Sequence, residues 1–575
     1  MADAKRWGRE LDKGGGTALD KNPNAIPTKQ IANYIQDTAT DWGVLTDGRL
    51  WRVYNRNTPP VSQSFFEINL PEALLDDDAF HLFYALFSGP AFARGVQELV
   101  RRESGDYWAE IGEDLKEKAY KALELLCNGF RNLDAELEIK DIYEGSVILL
   151  YRLLFILYAE NKNLLPRGED AYKRYSLQEI LNEVDRGAPE TFSENRSMLY
   201  DRLRHLFRLI DEGDASLKVP QYNGGLFKED GLPFLPAGFL SKYAVPDRYL
   251  AGALALIAFA QDKKGRTRHQ VDYGELDVRH LGSIYEGLLE FHPTLKDDRI
   301  ELYTDKGERK ATGSYYTPEY IVDYIVENTL GPLTEKMATP DAVLGIKVLD
   351  PAMGSGHFLV GAVDYVGRRC VEYAGAEAEK TEKEYQRDAV ERCIYGVDLN
   401  PLAVELAKLS LWLHTVAKDK PLSFLDHHLK LGNSLVGARV DDLGEVPRKN
   451  KKNEAAPTQN LFATRLEQAM PNALNEVMGI LARGTDAIED VEVKETLLRT
   501  AQERLKPFQA VADTWVSTYF GNDVTADEYA AALASISRPK ELLSLPIVAA
   551  ATALSHGDEH GVGREFFHWE LEFPE

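Results

Sequence analysis

Val348-Leu-Asp-Pro-Ala-Met-Gly-Ser-Gly-His-Phe-Leu-Val360 is the stretch on which the reading of this chain turns. A short apolar run ends in an acid, a glycine-rich turn follows, and helical periodicity resumes at His357. The pattern predicts a strand closed by Asp350, a turn holding Gly354 and Gly356, and a helix over 357–373. Glycine at those two positions lets the backbone approach a ligand closely, because no Cβ stands in the way. The helix then points its first N–H groups into the same space. On its own, a Gly-x-Gly after a strand is weak evidence, because a plain structural turn can look the same.

The next unit along the chain is more specific. Cys393-Ile-Tyr-Gly-Val-Asp-Leu-Asn-Pro401 reads as a second strand ending in an acid, Asp398. Asn400 suits an N-cap and Pro401 a first helical position, so a helix is expected over 402–414. An acid at the tip of the strand after a glycine loop is placed to accept both ribose hydroxyls of a nucleoside. A nicotinamide-dinucleotide reading fits less well. Leu359 stands where a third glycine would be, and Asp398 follows Asp350 by 48 positions, against about 20 from loop to acid in that fingerprint.

Further outward, short apolar strands alternate with helices from about 311 to 440, the mark of a parallel α/β sheet. Residues 105–300 read as helical, with runs at 146–165 and 198–210 broken by the loop Pro220-Gln-Tyr-Asn-Gly-Gly-Leu-Phe227. Near the N-terminus, apolar residues flank Asp47-Gly48 in Trp42–Tyr54, which predicts a tight β-hairpin. The segment 449–460 is polar, a linker or exposed loop, and helical signals then run to about 555. Phe566-Phe-His-Trp-Glu-Leu-Glu-Phe-Pro-Glu575 reads as a strand, with Phe567, Trp569, Leu571 and Phe573 on one face and His568, Glu570 and Glu572 on the other.

A length of 575 residues implies three or four domains, and 44% apolar with 28% charged residues excludes a mainly disordered chain. The net charge, 67 − 92 = −25, excludes a nonspecific nucleic-acid binder, though not a DNA enzyme with one basic cleft. The basic clusters (Arg101 and Arg102; Lys263, Lys264, Arg266 and Arg268; 448–452) read as solvated loops. Cys127, Cys370 and Cys393 are too scattered for a zinc knuckle and odd in number for a disulfide framework, which suggests a reducing compartment. No uninterrupted apolar run spans a bilayer. Val147–Ala159, which contains Arg152, reads as a buried helix, and the first residues lack the apolar stretch of a signal peptide. A cytoplasmic protein without membrane contact is expected.

Two flanking segments complete a recognisable set. Thr312-Gly-Ser-Tyr-Tyr-Thr-Pro318, followed by a helix over 319–330, precedes the glycine loop, and Leu431-Gly-Asn-Ser-Leu-Val-Gly437 follows the ribose acid. In this order the segments resemble the γ-class amino-methyltransferases, the DNA adenine-N6 methyltransferases of restriction–modification and phage-defence systems. The resemblance implies S-adenosylmethionine (SAM) as cofactor and double-stranded DNA as partner. Tyr316, Thr317 and Pro318 would contact the methionine part of SAM, and Asp350, Pro351, Ala352, Gly354, Ser355 and Gly356 would cradle the same end. Asp398, with Leu399 beside it, would hold the ribose, and Asn433 would lie near the adenine. The implied fold is multidomain α/β: a Rossmann-like SAM-dependent methyltransferase core, a large helical domain and an N-terminal α+β nuclease-like remnant. The expected divisions are 1–104 (remnant), 105–310 (helical), 311–445 (first half of the core), 446–565 (linker and helical insertion) and 566–575 (a returning core strand). The segments 150–160 and 219–227 look like the helical part of large type IIG-like and BREX- or DISARM-like enzymes.

Catalysis in that family rests on an Asn-Pro-Pro-aromatic loop. The adenine amine is a poor nucleophile, because its lone pair is delocalised into the ring. The loop accepts its hydrogens and stacks on the flipped base. Here Asn-Pro occurs only at Asn22-Pro23 and Asn400-Pro401, and Asn57-Thr-Pro-Pro60 lies far upstream. No catalytic residue is therefore assigned within the chain. It reads as truncated or as one half of a split enzyme, completed by a second polypeptide with the catalytic loop and the target-recognition domain. The competing expectation is a non-catalytic SAM-sensing or DNA-scaffolding subunit. Asp3-Ala-Lys5 matches the acid-x-Lys half of a PD-(D/E)xK nuclease site, but a metal needs a second carboxylate. His357, His427 and His428 read as turn and helix-start residues, and no metal site is expected.

Overall fold

In the computed structural model, placement is described for all residues except 13–25, 39, 57–64, 223–224, 229–234, 237, 262–267, 275, 277–281, 283–285, 304–316, 318, 376–379, 417–421, 445–460, 486, 559–560 and 575. Outside the described residues fall Tyr316 and Pro318, Asn22-Pro23, the Asn57–Pro60 loop, and most of the basic clusters at 263–268 and 448–452. The chain forms two compact units, one over Met1–Glu110 and one built from Ile111–Ala374 and Glu379–Glu575. The content is mixed and mostly helical.

The N-terminal unit holds a four-stranded sheet in sequential order, β1 (Ala2–Ala4), β2 (Trp42–Thr46), β3 (Leu50–Asn55) and β4 (Phe65–Asn69). The hairpin expected at Asp47-Gly48 forms because Gly48 takes φ +85° and Asp47 Oδ1 accepts the N–H groups of Arg49 and Leu50 at 3.0 and 2.6 Å. Strand β1 pairs in parallel with β2. Asp3 of β1 forms an ion pair at 2.8 Å with Lys5, just beyond the strand, and the Lys5 ammonium also donates to Gln30.

The larger unit opens on helical segments, whose centre is α1 (Ile139–Asn161). This helix is long and apolar enough to cross a bilayer, and all of that apolar stretch is buried within the protein. Two hairpins break the helical expectation for this region. Phe259–Gln261 pairs with Arg268–Gln270, and β5 (His292–Lys296) pairs with β6 (Arg299–Tyr303). The second turns on Asp297 and Asp298 with φ of +49° and +61°, the left-handed pair that a two-residue hairpin loop requires. Asp-Asp is a weaker turn signal than Asp-Gly, so the pattern of residues 105–300 does not reveal this hairpin.

Next come α2 (Glu319–Thr334), β7 (Val348–Asp350), α3 (His357–Ala374), α4 (Glu382–Arg392), β8 (Ile394–Asp398), α5 (Pro401–Thr415) and β9 (Leu429–Leu431). The three strands form a parallel sheet in the order β9-β8-β7. Gly396 of β8 stands opposite Asp350 of β7 and Leu429 of β9, and Asp398 opposite Leu431. Both strand-ending acids thus lie at the carboxyl end of the sheet, as the sequence reading requires. Asn400 caps α5 through a bond from the Leu402 N–H at 2.9 Å, with Pro401 at the first helical position.

A helical region follows, with α6 (Leu461–Leu481) and α7 (Ile488–Ser517) as its longest members. It shares one apolar core with Phe566 and Leu571. The strand expected over 566–575 is overturned. Only Phe566 makes a β-bridge, in parallel with Asn433, and Trp569–Glu572 is a short helix, α8. The reason is burial on both sides. Phe566, Phe567 and His568 are consecutive yet all buried, which an alternating half-exposed strand cannot achieve.

Candidate functional site

The glycine loop is tied down at nearly every residue. Ala352 donates its N–H to Asp350 Oδ1 at 3.1 Å, Met353 to the Val397 carbonyl at 3.0 Å, and Gly356 to the Met353 carbonyl at 2.8 Å. Gly354 donates to Asp398 Oδ2 at 2.8 Å, and Asn400 to Asp398 Oδ1 at 2.8 Å. The acid on the second strand therefore sits against the glycine turn on the first. The two residues so joined are 44 positions apart in the chain.

The two glycines serve different ends. Gly354 has φ +53°, and a Cβ there would meet nothing nearer than a Glu286 carboxylate oxygen at 3.7 Å. Gly356 has φ +80°, and a Cβ would press on Ala407 of α5 at 3.2 Å. At Gly354 the positive φ alone favours glycine, since a Cβ would meet no steric barrier. Helix packing accounts for Gly356, a distinction that spacing alone does not carry.

Asp350 and Asp398 are half-buried, and burial pushes both carboxyls above the ordinary range. Backbone N–H groups of Asn400, Gly354 and Leu399 pull Asp398 back, while Asp398 raises Asp350 further by like charge. Pro351 and Ala352 are exposed at the turn, and Thr317 is half-buried. Leu399 and Leu431 are exposed, and Leu435 is almost wholly so at 92%. An apolar surface flanks the acids at the strand tips.

Asn433 lies in a loop gripped by the C-terminal segment. Its N–H donates to the Glu565 carbonyl at 2.6 Å, and its Oδ1 accepts the Leu435 N–H at 3.1 Å. Around it, the Phe567 N–H reaches the Val436 carbonyl at 2.8 Å and Trp569 Nε1 the Ser434 carbonyl at 3.1 Å. The Ala438 N–H donates to His568 Nδ1 at 3.0 Å, which leaves Nε2 as the protonated nitrogen facing Asp513 at 3.1 Å. Glu570 accepts the Val440 N–H at 2.6 Å, and Lys430 pairs with Glu572 at 2.9 Å. Glycines 432 and 437 exist for this clasp, since a Cβ on either would lie within 2.2 Å of Phe567.

Two features escaped the sequence reading. Glu286, in a region read only as helical, accepts a hydrogen bond from Ser355 at 2.7 Å. His427 and His428, read as turn residues, are fully enclosed. Their rings lie 3.8 Å apart between Phe424 and Tyr395. Among the described residues no group of three His, Cys, Asp or Glu could hold a metal ion.

Residues 278–441 match the family described as N-6 DNA Methylase, and 392–497 that described as Eco57I restriction-modification methylase. The chain is 28% identical over 353 residues to a Methanocaldococcus jannaschii protein named as a type II restriction enzyme and methyltransferase, covering 52% of this chain and 28% of that one. It is 30% identical over 316 residues to the adenine-specific methyltransferase PglX of Streptomyces coelicolor, covering 51% and 22%. A third relative is the Escherichia coli type I restriction enzyme EcoEI methylase subunit, 25% identical over 205 residues and covering 34% of each chain. The chain thus spans about a third or less of the length of these curated relatives. Among solved structures, the type IIL restriction-modification enzyme MmeI in complex with DNA aligns at 16% identity over 55% of this chain and 40% of its own, with a TM-score of 0.35.

Proposed function

We propose that this chain, whose residues 278–441 carry the N6-adenine DNA methylase domain, is the SAM-binding part of a DNA adenine-N6 methyltransferase of a restriction–modification or phage-defence system. The observation that carries the reading is Asp398 bonded to the Gly354 N–H at the carboxyl end of a parallel sheet. The order of strand, glycine turn and acid supports a Rossmann-like core for this part of the chain. The residues fit a cationic nucleoside cofactor. Asp350, Asp398 and Glu286 lie around the loop, and exposed leucines flank the acids. Thr317, Asp350, Gly354 and Ser355 would hold the methionine end, Asp398 and Leu399 the ribose, and the loop of Asn433 the adenine. When bound, SAM supplies an electrophilic methyl group. The chain's own residues bind and orient it, and they hold the glycine turn in one conformation before it arrives.

Replacing Asp398 by Ala removes an acceptor for the ribose hydroxyls and frees the Gly354 N–H. A loss of about 2–3 kcal/mol in SAM binding is expected. Calorimetry should show this for Asp398→Ala, and undiminished affinity would remove Asp398 from the site.

The parallel sheet is open at β7, which among the described residues pairs only with β8 and has Leu349 46% exposed. An unpaired strand with an exposed leucine is stabilised by another strand beside it. We place there the polypeptide that carries the Asn-Pro-Pro-aromatic loop, whether on this chain's continuation or on a second protein. The notional returning strand at 566–575 is not that edge. Adding such a fragment should raise the melting temperature and allow tritiated-methyl transfer from SAM to adenine in double-stranded DNA. Equal methyl transfer by this chain alone would refute the need for it. Binding of SAM with no transfer in any mixture would favour the sensing or scaffolding role. The N-terminal unit is read as a nuclease-like scaffold in which Asp3 is engaged by Lys5.

A further inference from the structure

Glu286 belongs to none of the motifs that mark the cofactor site, yet it touches the glycine loop at Ser355. It is 9% exposed, and its Oε2 accepts the Ser355 hydroxyl at 2.7 Å. Ser355 is itself buried, at 4% exposure. The turn that follows Glu286, Gly287–Glu290, is fixed to the helical part of the unit. Tyr143 of α1 donates its hydroxyl to the Leu288 carbonyl at 2.6 Å, and a Cβ on Gly287 would strike Lys116 Cε at 2.9 Å. Just upstream, Gly282 lies against Ser410 of α5. Adjacent loop residues are therefore held by two carboxylates on different elements: Gly354 through its N–H by Asp398, and Ser355 through its hydroxyl by Glu286.

We propose that Glu286 is a positioning residue for the amino-acid end of SAM, acting through Ser355; this rests on the cofactor reading above. Glycines on either side of Ser355 sit at φ +53° and +80°, where a glycine-rich turn has other conformers of similar energy. A fixed acceptor on Ser355 selects one of them before binding. Without it, the loop must be ordered at the expense of affinity. The effect is confined to the part of the cofactor that the loop meets. The ribose and adenine contacts belong to Asp398 and the Asn433 loop.

The test compares SAM with 5′-methylthioadenosine, which has the nucleoside and thioether but no amino-acid end, by calorimetry on the full chain. Glu286→Ala should weaken SAM about 10- to 30-fold and methylthioadenosine less than about 3-fold, the range expected for one lost charge-assisted bond. Glu286→Gln keeps a carbonyl oxygen for the Ser355 hydroxyl and should recover SAM binding to within about 3-fold of wild type. Ser355→Ala should match Glu286→Ala, and the double variant should lose no more than either. Unchanged SAM affinity in Glu286→Ala, equal losses for both ligands, or a Gln variant no better than Ala would each overturn the role. A wild-type chain that binds no SAM would instead bring down the cofactor reading, and this inference with it.

Discussion

Gly437→Ala is expected to destabilise the larger unit by about 3–5 kcal/mol, the sum of a forced backbone displacement and two hydrogen bonds pulled apart, one of them buried. An added Cβ would lie 1.9 Å from the Phe567 carbonyl oxygen and 2.9 Å from its carbon. Neither is the far end of a flexible side chain, so relief requires moving backbone. The backbone is pinned on both sides of the residue, by the Phe567 N–H on the Val436 carbonyl and the Ala438 N–H on His568. Separation also uncovers Phe567, which is 2% exposed. Gly168→Ala is the control, since a Cβ there meets nothing within 4 Å. Urea titration should place the two variants several kcal/mol apart. Because Gly437 shares a loop with Asn433, the damaged variant should also bind SAM more weakly. A Gly437→Ala protein as stable as Gly168→Ala would mean that the clasp does not form.

The second large effect is acid lability centred on His427 and His428. Both are buried, at 4% and 0% exposure, and none of their four ring nitrogens makes a geometrically sound hydrogen bond. The Val390 backbone favours the charged form of His428, but burial, the larger cause, opposes it. Burial holds both imidazoles well below their ordinary value, with Lys494, Lys430 and Lys347 adding to the effect on His427. Below about pH 6.5 the unfolded chain takes up two protons that the native state refuses, so stability falls as pH falls. Over the range in which the unfolded imidazole is protonated and the native one is not, each group costs about 1.4 kcal/mol per pH unit. Buried carboxyls shifted upward, Glu144 to about 7 and Glu160 also upward, act in the opposite sense and are common to any variant. The measurement is therefore a difference. A His427→Phe/His428→Phe protein, compared with wild type by urea titration from pH 7.5 to 5, should gain relative stability steadily toward acid. A constant difference would show that these rings titrate normally.

Much of the site is legible before folding because its parts are local. A strand-ending acid, a turn that needs positive φ at Gly354, and an N-cap at Asn400 before Pro401 each follow from constraints within a few residues. The hairpin at Asp47-Gly48 is legible for the same reason. Order along the chain then places Asp350 and Asp398 at one end of the sheet, since parallel strands joined by helices all point the same way.

What the tertiary structure alone decided is everything that depends on which distant surface arrives. Phe566–Glu572 has the alternation of a strand, but three consecutive buried residues and the short helix α8 follow from its being enclosed between the Asn433 loop and the helical core. Local pattern cannot foresee enclosure from two sides. Gly356 and Gly437 look alike in sequence, while one is glycine for Ala407 and the other for the Phe567 carbonyl. Glu286 has no periodic or capping signature, and it becomes part of the site only because α1 and α5 bring its turn against Ser355, 69 positions away. The sequence by itself determined the conformations that short-range sterics and capping dictate. Long-range packing determined which polar groups those conformations leave for one another.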